Sequence, residues 1–375
     1  MKVMNLPLSK TVPVKYLSHV FNNTTNSYKF YWFISILKYV KEESLHIIPL
    51  QNLVAKMISD VWYPVNYYKI SFGKQDRLGD VALKIKLKSQ LLVDAKEYDI
   101  LAEVLRILNS SLKSDIHANL TSLIRYVPYR FLRPWFTEEL RGIPDYQVNA
   151  KILQLAKQKF QNEKDLCLYR FSDELENYIE ISKKWFDYLQ IHNKILMDFC
   201  FWNLLSFLQK KNPNIPNIAE KLFPPQTRNL AQARGFWDLV FTEYPTLTCL
   251  YSKTPISKND YTIDHFIPWR FVTHDLLWNL IPTPRFVNSA KSDSLPSLEI
   301  YFDNFASIQQ KAFKIIFQKG KLRLLEDYSN LYYCELKDIY EMSGKEFKDR
   351  LYTTIAPLKQ IAENTGFESN WVFQK

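Results

Sequence analysis

Apolar residues return every three or four positions along much of the first half of the chain, a periodicity that predicts helices rather than strands. Trp32, Ile36, Leu37 and Val40 recur at helical spacing behind the cap oxygens of Thr25, Asn26 and Ser27, so a helix is predicted over 28–41. The same pattern predicts helices near 50–61, 96–112, 115–126 and 148–161, with turns at Pro64, Pro128, Pro134 and Pro144. A helical pair is predicted over 173–190 and 193–209, dense in Trp185, Phe186, Tyr188, Phe199 and Trp202. Aromatic stripes at helical spacing are far more often core than stacking platforms for bases.

The pattern breaks over 210–228, where prolines alternate with polar residues, and proline both stops helices and stiffens connections. Beyond it a helix is predicted over 229–241. Short strands are predicted over 247–251 and 261–264, with turn chemistry in the intervening SKTPISKND. Helices follow near 296–318 and 344–363. Lys311, Lys314, Lys319, Lys321 and Arg323 lie near the carboxyl end of the first, where cations suit the helix dipole without any ligand. The expected architecture is α+β and predominantly α-helical: a helical N-terminal lobe over 1–210, a proline-rich linker over 211–228, a mixed module over 229–300 and a helical C-terminal region over 301–375. The N-terminal lobe is expected to recognise substrate or partner.

Composition narrows the function classes. Apolar residues make up 47% of the 375 positions and aromatics 15%, enough for large cores and against disorder. Only 7 glycines are present, which disfavours glycine-rich phosphate loops and an all-β fold. A formal charge of +10 suits a polyanionic partner such as nucleic acid. Cys167, Cys200, Cys249 and Cys334 are widely spaced and form no Cys-x-x-Cys pair, as expected of reduced thiols in a cytoplasm. No secretory signal is read in 1–13, and the longest apolar stretch, 195–208, contains Asp198 and Asn203, so no membrane partner is expected.

Candidate chemistry concentrates in 261–296, YTIDHFIPWRFVTHDLLWNLIPTPRFVNSAKSDSLP. Asp264 and His265 end an apolar strand, and Phe266, Ile267 and Pro268 stop regular pairing after them. Asn279 stands between Trp278 and Leu280. Thr283 and Pro284 are read as the cap and first-turn proline of a short helix. On that helix Arg285, Asn288 and Lys291 are spaced three apart on one face, while Phe286 and Ala290 offer another face for packing on a hairpin of the two strands. Oxygens of Asp264 and Asn288 would then oppose each other, a donor set suited to Mg²⁺, and neutral His265 suits proton abstraction near neutral pH.

These residues, in the order Asp264-His265-Phe266-Ile267-Pro268, Asn279, Asn288, Lys291-Ser292-Asp293 and Pro296, resemble the HNH, or ββα-metal, endonucleases. The similarity is greatest to the HNH domain of RNA-guided CRISPR effector nucleases and covers roughly 247–296. It implies that Asp264 and Asn288 bind Mg²⁺ or Mn²⁺, that His265 is the general base, that Asn279 braces the loop and that Lys291 meets the scissile phosphate. It also implies double-stranded DNA as substrate and defence against foreign DNA as setting. Many relatives hold a structural zinc on paired Cys-x-x-Cys motifs; Cys249 has no such pairing, so no zinc is expected. The stretch 17–36 is similar to stand-alone bacterial HNH proteins.

Around this motif, Arg270 and Arg285 are candidates for phosphate contact. His274 reads as a surface or capping residue, and Asp275 as a cap, with partnership to the motif as the alternative. Arg125, Arg130 and Arg133, interleaved with Tyr126, Tyr129, Phe131 and Trp135, form the best binding patch elsewhere, although packing explains such residues more often. The contrasting functional expectations are a non-catalytic nucleic-acid-binding protein and an interaction subunit of a larger defence complex, with a protein partner or an oligomer.

Overall fold

The computed structural model describes residues 6–374 except 44, 113, 163–165, 173–176 and 226. The chain is predominantly helical with a few small antiparallel sheets, and it forms two compact units: one of residues 1–213 and 221–224, the other of 214–220 and 225–375. Among the described residues no helix is long and apolar enough to cross a membrane.

The first unit is built around α2 (Tyr28–Glu42), which follows the short α1 (Val14–Ser18). Phe30, Trp32, Phe33, Ile34, Ile36 and Leu37 are all buried, so α2 is apolar on every side and is wrapped accordingly. Against it pack α3 (Leu50–Trp62), α6 (Asp115–Phe131), α8 (Lys183–Ile191) and α9 (Asn193–Lys211). Completing the unit are α4 (Arg77–Lys88), α5 (Glu97–Leu108) and α7 (Asp145–Lys159). Asp76 caps α4 through the Leu78 amide and also accepts the Ser27 amide beside α2, so one carboxylate ties two helix starts together.

Two expectations change here. The helix predicted over 173–190 is confined to α8, and residues 173–176 lie outside the described residues. Tyr178–Ile181 is instead β3, the central strand between β1 (Ile47–Pro49) and β2 (Tyr169–Phe171). Its buried Ile179 and Ile181 alternate with the half-buried Tyr178 and Glu180, a strand pattern too short to outweigh the helical run beside it. Pro128, expected to make a turn, lies inside α6, which runs on to Phe131. Its carbonyl accepts the buried Tyr169 hydroxyl at 2.5 Å, a tertiary contact that holds the helix at the proline.

The second unit begins with α10 (Ala231–Glu243) and then carries two separate strand pairs. β4 (Thr246–Thr248) pairs with β5 (Pro255–Ser257), and β6 (Thr262–His265) pairs with β7 (Leu280–Thr283). The two predicted strands therefore do not form one hairpin: a strand lies within the stretch read as a turn, and β6 finds its partner beyond the Asn279 loop. Thr283 pairs with Thr262 as the last residue of β7, so it does not cap the next helix, which starts at Arg285 after Pro284.

Between β6 and β7 lies α11 (Trp269–Val272), and after β7 comes α12 (Arg285–Lys291). The buried residues of α12 are Val287 and Lys291; Phe286 is 58% exposed and Ala290 is exposed, which corrects the predicted packing face. The long α13 (Leu298–Gln318) and α16 (Gly344–Asn364), with α14 (Glu326–Tyr332) and α15 (Leu336–Glu341), share one apolar core with the strand pairs. The last residues return to the end of the motif, where Trp371 donates to the Leu295 carbonyl and accepts from the Ser297 amide.

Candidate active site

β6 carries Asp264 and His265 at its end, where they are buried, 3% and 5% exposed. A carboxylate withdrawn this far from water needs compensation. Oδ2 of Asp264 accepts the Tyr251 hydroxyl at 2.9 Å, and Oδ1 accepts the Lys291 ammonium at 3.2 Å. Lys291 is completely buried and also donates to the His265 carbonyl at 2.7 Å. Burial and then the Asp264 charge push the Tyr251 hydroxyl far above its usual range, so it stays a proton donor.

His265 faces a second carboxylate. Its Nε2 lies 2.8 Å from Oδ1 of Asp275. An ionised carboxylate only accepts, so Nε2 carries the proton and Nδ1 of the neutral ring keeps the lone pair. Burial lowers the pKa of His265, with the Asp275 hydrogen bond opposing it, and the ring is therefore neutral near pH 7. Asp275 is thus a partner of the motif rather than a cap: the amide of Leu277 is taken by Asp327 Oδ2 at 2.9 Å. Thr273 ends α11 in the left-handed conformation with φ 52°, two residues ahead of Asp275.

Asn279 is fully buried and grips one residue at both backbone groups. Its Oδ1 accepts the Ile267 amide at 2.8 Å, and its Nδ2 donates to the Ile267 carbonyl at 2.9 Å. Its own carbonyl accepts the Phe266 amide at 2.8 Å. The backbone immediately after His265 is thereby held at three points. From beneath, Phe305 of α13 stacks on Phe266 with centroids 4.0 Å apart, and Gln309 donates to the Leu280 carbonyl at 2.7 Å. Leu280 is the residue paired with His265.

Asn288 donates through Nδ2 to Thr262 Oγ1 at 3.0 Å and to the Ile263 carbonyl at 3.2 Å, which anchors α12 on β6 and leaves its Oδ1 as an available hard donor. Of the predicted phosphate contacts, Arg285 is exposed, Arg270 donates to Asp293 Oδ2 at 3.1 Å, and Lys291 points inward to Asp264. Nδ1 of His274 accepts the Leu276 amide. The thiol of Cys249 is buried and accepts the Ser252 amide. Sequence reasoning missed Tyr251, which carries no pattern of its own, and Asp327, whose partner is distant along the chain.

A divalent ion suits this donor set, because Mg²⁺ takes few protein oxygens and keeps water in its other positions. Asp264 already balances one cation, the Lys291 ammonium, so an ion on this carboxylate shares it with Lys291 or displaces it. Among the described residues no cluster of three or more His, Cys, Asp or Glu side chains could hold a metal.

Residues 249–297 match the HNH endonuclease family, and the span encloses every residue of this site except Asp327 and the supporting helix α13 beyond residue 297. No curated protein and no solved structure gives a significant match to the chain.

Proposed function

We propose that the HNH-family domain at residues 249–297 makes this chain a divalent-metal-dependent endonuclease that hydrolyses phosphodiester bonds in double-stranded DNA, in a setting of defence against foreign DNA. The observation that carries this reading is the His265–Asp275 hydrogen bond, which puts the ring proton on Nε2 and leaves Nδ1, one residue from Asp264, as the basic nitrogen of an imidazole that burial keeps neutral. Asp264 and Asn288 would hold the ion through oxygen. When bound, Mg²⁺ or Mn²⁺ supplies Lewis-acid stabilisation of charge on the phosphate and leaving oxygens.

His265 Nδ1 takes a proton from water as the water oxygen forms its bond to phosphorus, while Asp275 stabilises the imidazolium that results. The opposite phosphorus–oxygen bond breaks, and the leaving oxygen is protonated from solvent. Asn279 positions His265 by fixing the backbone after it. Arg270 and Arg285 contact flanking phosphates, and Lys291 reaches the scissile phosphate if the ion takes its place on Asp264.

A second reading, a nucleic-acid-binding or interaction subunit without cleavage, draws support from Lys291, whose ammonium already satisfies Asp264. Supercoiled plasmid incubated with wild type or His265→Ala, in Mg²⁺, Mn²⁺ or EDTA, separates the two. Nicking or linearisation by wild type alone, and only with metal, is the expected result. Plasmid binding without cleavage by either protein under all conditions favours the second reading.

A further inference from the structure

The first unit contains a cavity of about 520 Å³ whose lining includes Lys29, Arg77, Arg130 and Arg133. The sole acidic residue of that lining is Asp145, and it is bound to Arg130. Lys29 donates only to the carbonyls of Val20 and Asn23, and neither Arg77 nor Arg133 has a carboxylate partner among the described residues. Burial and then the nearby Arg133 guanidinium hold the Lys29 ammonium down to about 8. Four cations gathered in a recess around a single carboxylate cost folding energy, and an anionic ligand lowers that cost.

Other features narrow the ligand. The amino end of α2 lies at the same cavity, and the Asp76 carboxylate that accepts the Ser27 amide offsets part of its positive potential. Asn26 and Asn119 also line the cavity and give its wall uncharged hydrogen-bonding side chains. Tyr126, 55% exposed, and Tyr28 place aromatic rings beside the cations. A second cavity, of about 840 Å³, shares Asn23, Lys29 and Arg133 with the first, so these cations stand on a common wall with space on both sides.

We propose that this cavity is a binding site for a nucleotide, with phosphates on Lys29, Arg77 and Arg133 and the base against Tyr126 and the side-chain amides. The volume falls in the range of small-molecule sites. A DNA duplex presents its phosphates on a convex surface that does not enter such a recess, so a small phosphorylated ligand is the favoured occupant. The site dispenses with a glycine-rich loop because side-chain cations supply what backbone amides supply elsewhere. Arg130 and Arg133 belong to the basic and aromatic patch noted in the sequence; of its remaining members, Phe131 and Trp135 are buried core and Tyr129 stacks on Phe171.

Isothermal titration calorimetry of the full chain tests this with ATP, GTP, CTP, UTP and cyclic di-GMP as probes, and a short DNA duplex as competitor. One probe is expected to bind once per chain with Kd below about 0.1 mM. Lys29→Met and Arg133→Ala should each weaken it at least about tenfold, as expected when one charge-assisted hydrogen bond is removed. Arg133 is exposed, so its variant keeps the fold even where Lys29→Met does not. The proposal is overturned if every probe binds more weakly than about 1 mM, if binding survives both substitutions, or if only the duplex engages these residues. The readout is binding rather than cleavage, so its failure and that of the nuclease reading are told apart.

Discussion

At the scale of single residues, the pair of Lys291 and Asp264 governs what the site can do. Both side chains are essentially removed from water, and breaking such a pair by deleting one partner costs about 3–5 kcal/mol because the other charge is left buried. Lys291→Met should therefore lower the thermal midpoint. Millimolar Mg²⁺ should then raise that midpoint more in the variant than in wild type, since the ion would replace the missing positive charge. Equal shifts in both proteins would remove Asp264 from the ion site.

His265 yields a prediction with a definite sign. Asp275 raises its pKa against burial, so Asp275→Asn should lower that pKa and move the acid limb of the pH–rate profile to lower pH. The maximal rate should also fall, because the imidazolium is deprived of its counter-charge. Lys29 titrates at the other end of the scale. Its ammonium is acted on by the Arg133 guanidinium; Arg77, Arg130 and the Arg130-bound Asp145 line the same cavity, and Glu138, Glu139 and Lys159 line the adjoining one, so nucleotide affinity should be greatest below the pKa of about 8 and decline as pH rises through it. Calorimetry at pH 7 and pH 9.5 compares the two states.

At the scale of elements, α13 supports β6 and β7 from below. Gln309 satisfies the Leu280 carbonyl and accepts the Tyr328 hydroxyl at 2.6 Å, in a fully buried position. Gln309→Leu leaves both groups without partners, at about 1–3 kcal/mol for each. Denaturant unfolding should register that destabilisation, and plasmid nicking should fall with it because Leu280 is the ladder partner of His265. Little of this support is legible in the sequence. Periodicity predicts the helix over 296–318, but nothing in that periodicity says which of its residues lies under His265.

The elements also separate what local pattern can reveal from what it cannot. The predicted helices over 28–41 and 193–209 correspond to α2 and α9, since an apolar repeat acts within a few residues; the cap oxygens expected of Thr25, Asn26 and Ser27 make no capping bond to α2. The pairing of β6 with β7 rather than with β4 depends on partners separated by a loop, and β3 depends on strands far away in the chain. Spacing alone puts Arg285, Asn288 and Lys291 on one face, yet their exposure runs from open to fully buried, because steps of three residues drift around a helix of 3.6 residues per turn.

At the scale of the whole molecule, the formal charge of +10 bears on association with nucleic acid rather than on fold. DNA affinity should fall steeply with salt. Replacing both Arg270 and Arg285 with Ala should reduce the slope of log affinity against log salt by about 0.9 for each phosphate that is no longer neutralised. An unchanged slope would place the DNA-binding surface elsewhere on the chain.

The sequence by itself determined the predominantly helical character, the order of the motif residues and the kinship of 249–297, because these rest on residue identity, local periodicity and fixed spacing. Tertiary structure alone decided that Asp275 serves His265, that Lys291 turns inward to Asp264, and that Lys29, Arg77 and Arg133 meet around one cavity. Each of these brings together side chains carried by different elements or across a loop. Their distances are set by how the elements pack, and no local pattern along the chain encodes that.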